Sequence, residues 1–588
     1  MNTAPAPVPL AFDSAAGPCF GWYHPPADNA RDTVVVMCPA LGYEASCAYQ
    51  SWTRLAGLLA AAGLPVLRFD WHGSGDSAGD DRLLRLDDLR ASVDAAMAEA
   101  RRLSGCTRVA LLGLRMGAML ALDAAARAGG VEAVAAWAPC TGKGFARELR
   151  ALAMARGELG GTLEAQGLAC DEDALRDLQG LAPATLPHRP AARVLLVARD
   201  DLGGAETLFE SALRSRGCHV TLERWPGYAR AVAEPTHPVD LGNTLGSLAG
   251  WLAERAGPAA STPPRPHVSS QLQAGAAIEQ PWRFGTDGRL FGILARPSAG
   301  GAAPGQVDTA VLLLNVGGNP RTGPHRLYVT LSRALAASGL TVLRLDVAGI
   351  GDSPGEFPHT AAMWQRATAD VRAAMDSLQP LGLRRFQLVG ICSGSYLALE
   401  TALVDERVCR QVLGNTRVLE YDTGSAPWQG AMQRHYKSMR YYGRALARAG
   451  VWRRLLRGQV DARGIAARAV VLAQARMSRG LARLLGRGPA RDSLCEKFLH
   501  LSRRGTRTLI VMSEQDDGLD YLDFHLGRNA AHLRGEPGFE LQLVPGADHT
   551  FSTQAMQQRL VEILRQEMLA CPAEDEAATV LQARVAHV

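Results

Sequence analysis

Short runs of consecutive apolar residues alternate along the chain with stretches in which apolar positions recur at helical spacing. In the first half, residues 33–39 form one such run, residues 52–62 read as a helix stopped by Gly63, and residues 64–70 return to a β-rich run. The second half repeats the succession with residues 309–315, a helix over 328–338 stopped by Gly339, and residues 340–346. Apolar runs without strict alternation predict parallel strands covered on both faces, and their interleaving with helices predicts an α/β architecture. Further strands are predicted at 193–198, 508–512 and 540–544.

The two halves match in detail. Val66-Leu-Arg-Phe-Asp-Trp-His-Gly-Ser-Gly-Asp-Ser-Ala-Gly79 corresponds to Val342-Leu-Arg-Leu-Asp-Val-Ala-Gly-Ile-Gly-Asp-Ser-Pro-Gly355. Val109-Ala-Leu-Leu-Gly-Leu-Arg-Met-Gly117 corresponds to Phe386-Gln-Leu-Val-Gly-Ile-Cys-Ser-Gly394. The offset is 276 at Asp70/Asp346 and 277 at Gly113/Gly390. Features kept in order at a nearly constant offset indicate a duplicated domain rather than a short repeat array. The expected organisation is a first domain at 1–256, a Pro- and Ser-rich linker at 257–277, a second domain at 278–570 and a tail at 571–588.

Composition narrows the class. The chain has 588 residues, 47% hydrophobic, with a net charge of +5, which fits two folded domains of about 250 residues each. Without an eighteen-residue apolar run, no transmembrane segment is expected, and the first twelve residues lack a basic stretch followed by an apolar core. Eleven cysteines occur with no C-x-x-C pair, so neither a disulfide framework nor a metal site is expected, and a cytoplasmic location follows.

The candidate chemistry lies in the second half. Gly390-Ile-Cys-Ser-Gly394 falls between a predicted strand and an apolar helix at 396–404, the setting of a nucleophile elbow. A strained strand-to-helix turn requires small residues two before and two after the central position. Gly390 and Gly394 therefore favour Cys392 over Ser393 as nucleophile. A thiolate needs a base and the base needs a carboxylate to orient it. His549, after the last strand, is the expected base; Asp516 is its orienter, with Asp517 as runner-up. The oxyanion hole is expected from the Ser393 backbone N–H together with Gly317 or Gly318. Residues 346–355 are expected to form a structural loop at the strand ends, with substrate contact by Asp352 or Ser353 as the alternative. The chemistry implied is attack on an ester or thioester through an acyl-enzyme, ending in hydrolysis or transfer, with no cofactor required.

Residues 421–504 form an insertion expected to act as a lid. Between 434 and 491 it holds fourteen arginines and Lys437 against the single acidic residue Asp461. Arg453, Arg454 and Arg457 stand in one predicted amphipathic helix. Such a lid suits an anionic partner: an acyl or peptidyl carrier protein, coenzyme A or a lipid headgroup. Nucleic acid is not expected, because no reading module accompanies the charge.

In the first half the elbow spacing persists but its centre is Arg115, which cannot act as an acyl nucleophile. Arg115 is expected either to pair with Asp201 or to bind an anion; His237 stands where the base would be. A paired scaffold gripping an anionic ligand or carrier protein is the alternative to an enzyme, and lyase or dehalogenase chemistry is a third.

At these residues both halves resemble α/β-hydrolases of the serine aminopeptidase-like group. The first, with Cys38-Pro-Ala-Leu-Gly-Tyr-Glu44, is similar to bacterial exosortase-associated hydrolases. The resemblance implies two tandem α/β-hydrolase folds, each a mostly parallel sheet flanked by helices, and a triad that falls on Cys392, Asp516 and His549. The elbow cysteine departs from the commoner serine.

Overall fold

The computed structural model describes residues 5–420 and 493–570, apart from 28–29, 80–82, 157–161, 166, 235–238, 258–267, 299–302, 304 and 359, together with positions 470, 474 and 477. The lid arginines Arg453, Arg454 and Arg457, His237 and the tail at 571–588 lie outside the described residues.

The first domain contains strands β1 (Val8–Phe12), β2 (Cys19–His24), β3 (Thr33–Cys38), β4 (Val66–Phe69), β5 (Arg108–Leu114), β6 (Ala133–Trp137), β7 (Leu163–Ala165), β8 (Leu168–Cys170), β9 (Arg193–Val197) and β10 (His219–Glu223). All but the β7–β8 hairpin join one sheet, in the order β1-β2-β4-β3-β5-β6-β9-β10. The second contains β11 (Leu272–Ala274), β12 (Ala277–Phe284), β13 (Leu290–Pro297), β14 (Thr309–Leu314), β15 (Thr341–Asp346), β16 (Arg385–Ile391), β17 (Val408–Gly414), β18 (Arg507–Ser513) and β19 (Phe539–Val544). Its sheet order, β11-β12-β13-β15-β14-β16-β17-β18-β19, is that of the first sheet with one strand added at the edge. From β4 or β15 onward the pairings are parallel. Strands such as β3 and β14 are buried along their whole length, which is why their sequences run apolar rather than alternating.

Two boundaries differ from the sequence reading. The first helix spans Tyr43–Ala61, so it begins well before residue 52. Its opening turn carries the polar residues Glu44, Ser46 and Gln50, which blurred the apolar period. The segment read as linker already contains β11, which pairs with β12. Its three residues are too few for a periodic signal.

The domains meet through a reciprocal contact. Arg68 on β4 pairs with Asp352 of the second domain, and its counterpart Arg344 on β15 pairs with Asp76, the counterpart of Asp352. Arg321 joins both centres, 2.5 Å from Asp76 and 2.8 Å from Asp352. Around these ions Phe20, Trp22, Phe291 and Ile293 form one apolar cluster, with Trp22 and Phe291 rings 4.6 Å apart. Residue i meeting the partner of j while j meets the partner of i is the arrangement of a two-fold dimer, here within one chain. Asp352 is thus committed to ion pairs. Ser353 Oγ donates to the Asp346 carbonyl (2.6 Å) and accepts from the Phe291 N–H (2.9 Å). Both residues make structural contacts, in keeping with the reading of 346–355 as a structural loop rather than with its alternative of substrate contact.

Candidate active site

Both elbows adopt the same strained backbone. Cys392 has φ 55° and ψ −115°, and Arg115 has φ 56° and ψ −120°. A non-glycine residue held there costs of order 1–3 kcal/mol and persists only when its surroundings enforce it. Close backbone contacts provide the enforcement. A Cβ on Gly390 would lie 2.0 Å from the Gly394 carbonyl oxygen, and one on Gly394 would lie 2.8 Å from the Asn315 carbonyl oxygen. The first domain repeats this, with a Gly117 Cβ falling 2.1 Å from the Pro39 carbonyl oxygen.

In the second domain β16 delivers Cys392, the turn after β18 delivers Asp516, and the loop after β19 delivers His549. His549 Nδ1 lies 2.5 Å from Asp516 Oδ2, and the imidazole also bonds the Cys392 thiol. Burial pushes the thiol up, but the imidazolium of His549 and then Arg417 outweigh it and hold the pKa below its ordinary value. For His549, burial pulls down while the Cys392 thiolate and Asp516 pull up, leaving its pKa at about 10. The imidazole beside Cys392 therefore favours the thiolate form of the thiol, with the Asp516 carboxylate behind the ring.

The neighbouring residues separate into roles. Asp517, the runner-up orienter, pairs with Arg417 at 2.9 Å instead of reaching the histidine. Asp548 accepts from the N–H groups of Thr550 (3.2 Å) and Ser552 (3.0 Å), closing the loop that carries His549. Gly317, in the left-handed region at φ 56°, donates its N–H to Ser393 Oγ at 2.8 Å. One expected oxyanion donor is thus engaged by the side chain that follows the elbow. Gly318 stands next to it in the same loop.

Three supports escaped the sequence reading. Asn415, at φ 42°, donates to the carbonyl of His549 (2.8 Å) and to Ser513 Oγ (2.9 Å), and accepts from the Ser513 N–H (2.6 Å). It ties the histidine loop to the end of the acid strand. Arg417 is the second. The only available signal was their place in Gly414-Asn-Thr-Arg417, just beyond β17 at the carboxyl end of the sheet. The third crosses between the domains. His325 Nε2 lies 3.3 Å from Thr550 Oγ1, its ring stacks on Tyr43 at 6.2 Å, and Glu164 of the β7–β8 hairpin accepts from the Gln554 N–H at 2.8 Å. No local sequence pattern announces contacts between residues so far apart in the chain.

The first domain's crevice is closed by charge. Arg115 Nε donates to Glu44 at 3.1 Å, its Nη2 pairs with Glu148, and the Tyr228 hydroxyl donates to Glu44 at 3.0 Å. Asp201 pairs instead with Arg199 at 2.7 Å, so the expected Arg115–Asp201 pair is corrected. The guanidinium turns toward the helix at Tyr43–Ala61 and the helix at Gly142–Arg156, whose carboxylates already meet its charge.

Among the described residues no group of His, Cys, Asp or Glu could hold a metal ion, and no helix is long and apolar enough to cross a membrane.

Comparison with known proteins gives two family matches: residues 311–563 match the "Alpha/beta hydrolase family", and residues 29–180 match "Serine aminopeptidase, S33". No curated protein matches the chain. Solved structures similar to it include Est1E from Butyrivibrio proteoclasticus, at 13% identity over 42% of this chain and 98% of that one, with a TM-score of 0.31. XC6422 from Xanthomonas campestris, described as an a/b serine hydrolase without lid, is 18% identical over 44% and 97%, with a TM-score of 0.29. The Pyrococcus furiosus esterase Pf2001 is 15% identical over 43% and 93%, with a TM-score of 0.31. The description of the family matched over residues 29–180 names a serine enzyme. The expectation of a cysteine-dependent thioesterase or acyltransferase with a Cys-Asp-His triad is corrected accordingly. The chain belongs to the α/β-hydrolase superfamily and carries two of its domains in tandem.

Proposed function

We propose that the second domain hydrolyses carboxylic esters at the crevice where Cys392, Asp516 and His549 meet, and that the first domain braces it without doing chemistry. The carrying observation is the His549–Asp516 contact of 2.5 Å set against a strained elbow. A carboxylate on Nδ1 fixes the imidazole's orientation and leaves Nε2 to handle the proton of the attacking and leaving oxygens. The Ser393 backbone N–H and the Gly317–Gly318 loop are the groups proposed to face the developing oxyanion. The first domain lacks an equivalent set, because Arg115 is saturated by carboxylates.

The finer parts of the reading rest on sequence. The arginines at 434–491, including Arg453, Arg454 and Arg457, support an anionic group on the substrate or its carrier, such as a carrier-protein arm or coenzyme A. A reducing, cytoplasmic setting is supported by ten described cysteines that are all free thiols.

The test is turnover of a p-nitrophenyl ester series by the full chain. His549→Ala is expected to lower kcat/KM by about 10²–10⁴-fold, the usual contribution of a positioned acid–base group. Undiminished turnover in that variant would move the chemistry elsewhere.

A further inference from the structure

Between the domains lies a partly open chamber of about 100 Å³. Its walls include the rings of Trp22, Tyr43, Trp52 and Phe69 of the first domain, and residues including Pro320 and His325 of the second roof it. One water needs roughly 10–15 Å³ of such space, so the chamber has room for a single ring.

Two of the walls carry an unmet demand. Trp22 is 4% exposed and Trp52 is 7% exposed, and the Nε1–H of each is buried with no acceptor among the described residues. Indole nitrogen only donates, and a buried donor without an acceptor costs roughly 1–3 kcal/mol. Two such donors beside one cavity call for an occupant that supplies an oxygen acceptor. The charged residues of the wall are already engaged: Arg68 pairs with Asp352 and bonds Tyr49 and His24, Asp70 accepts from the Asp76 N–H, and Arg326 donates to the carbonyls of Gly75, Ser77 and Gly79. Flat rings among the walls favour a flat apolar body.

We propose that this chamber is a binding site for a neutral single-ring aromatic compound carrying a carbonyl oxygen, which accepts from the indole N–H of Trp22 or Trp52. None of Cys392, Asp516 and His549 lines it.

The experiment is calorimetric titration of the full chain with acetophenone, with toluene and benzoate as comparators. Toluene keeps the ring without the acceptor, and benzoate adds a charge. Saturable binding of acetophenone at one site per chain is expected, with toluene and benzoate each about tenfold weaker, as one net hydrogen bond implies. Trp22→Phe and Trp52→Phe keep the ring and delete the donor. At least one is expected to reduce acetophenone affinity to that of toluene while leaving toluene unchanged. Ala48→Phe, which fills the chamber from the helix at Tyr43–Ala61, is expected to abolish binding, with its melting temperature reporting retained folding. Acetophenone binding no tighter than toluene, or unaffected by both tryptophan variants, would overturn the proposal and assign the indole donors to bound water.

Discussion

Arg115 and Cys392 occupy the same place in two copies of one fold, yet only the backbone is shared. Their φ and ψ agree within about 5°, and in each case the flanking glycines press against neighbouring carbonyls. What differs is what the side chain meets. Cys392 faces His549 and Arg417, and its thiolate is stabilised; Arg115 faces Glu44 and Glu148, whose carboxylates meet its charge. The elbow's strain is thus maintained by packing of the sheet and following helix, whether or not any chemistry uses it. A strained backbone alone would have marked two candidate sites, and the charges around it leave one candidate.

The sharpest way to break this comparison is to attack the shared packing. Gly113→Ala and Gly390→Ala each drive a methyl into backbone 2.0–2.4 Å away, where no side chain can yield. Each is expected to cost about 3 kcal/mol or more, by denaturant unfolding, with similar losses in the two domains. A loss confined to Gly390 would show that the first elbow has relaxed.

The reciprocal ion pairs offer a second test. Removing Asp76 leaves Arg344 and Arg321 short of a buried partner; removing Asp352 does the same to Arg68 and Arg321. Asp76→Ala and Asp352→Ala are each expected to destabilise the chain by about 3–5 kcal/mol. Because both deprive Arg321, their effects are expected to be non-additive in a double-mutant cycle.

Cys392→Ser sharpens the chemical side. It removes the thiolate that raises His549, so the imidazole pKa is expected to fall from about 10 toward its ordinary value near 6.5, as read by histidine NMR titration. The sign follows from the raised folded-state value. The stabilisation from protonated His549 is fully present below about pH 6.5 and lost as pH rises through about 10. In Cys392→Ser that loss moves to lower pH. A neutral histidine beside a hydroxyl is also expected to raise ester turnover at pH 7 by about tenfold, equivalent to about 1.4 kcal/mol of barrier.

Arg115→Met should give the smallest effect on ester turnover, within about twofold, with a measurable loss of stability from leaving Glu44 buried without its cation. A large loss of turnover would mean that the first domain does more than brace the second.

Patterning made much of the architecture legible. The duplicated apolar runs, the glycine-stopped helices and the Gly-x-x-x-Gly elbows are local signals, and a sheet buried on both faces must write them into every strand. They led to two tandem folds and placed Cys392, Asp516 and His549 at strand ends where the chain can bring them together. Side-chain partnership across the fold was not legible. The pairing of Arg115 with Glu44 rather than Asp201, the diversion of Asp352 into an ion network and the role of Asn415 depend on distances between segments far apart in the chain. Local pattern determined the strands, helices and elbows of this protein, because hydrophobic period and backbone sterics act over a few residues. Only the tertiary structure decided which charges meet, because those energies depend on burial and separation in space.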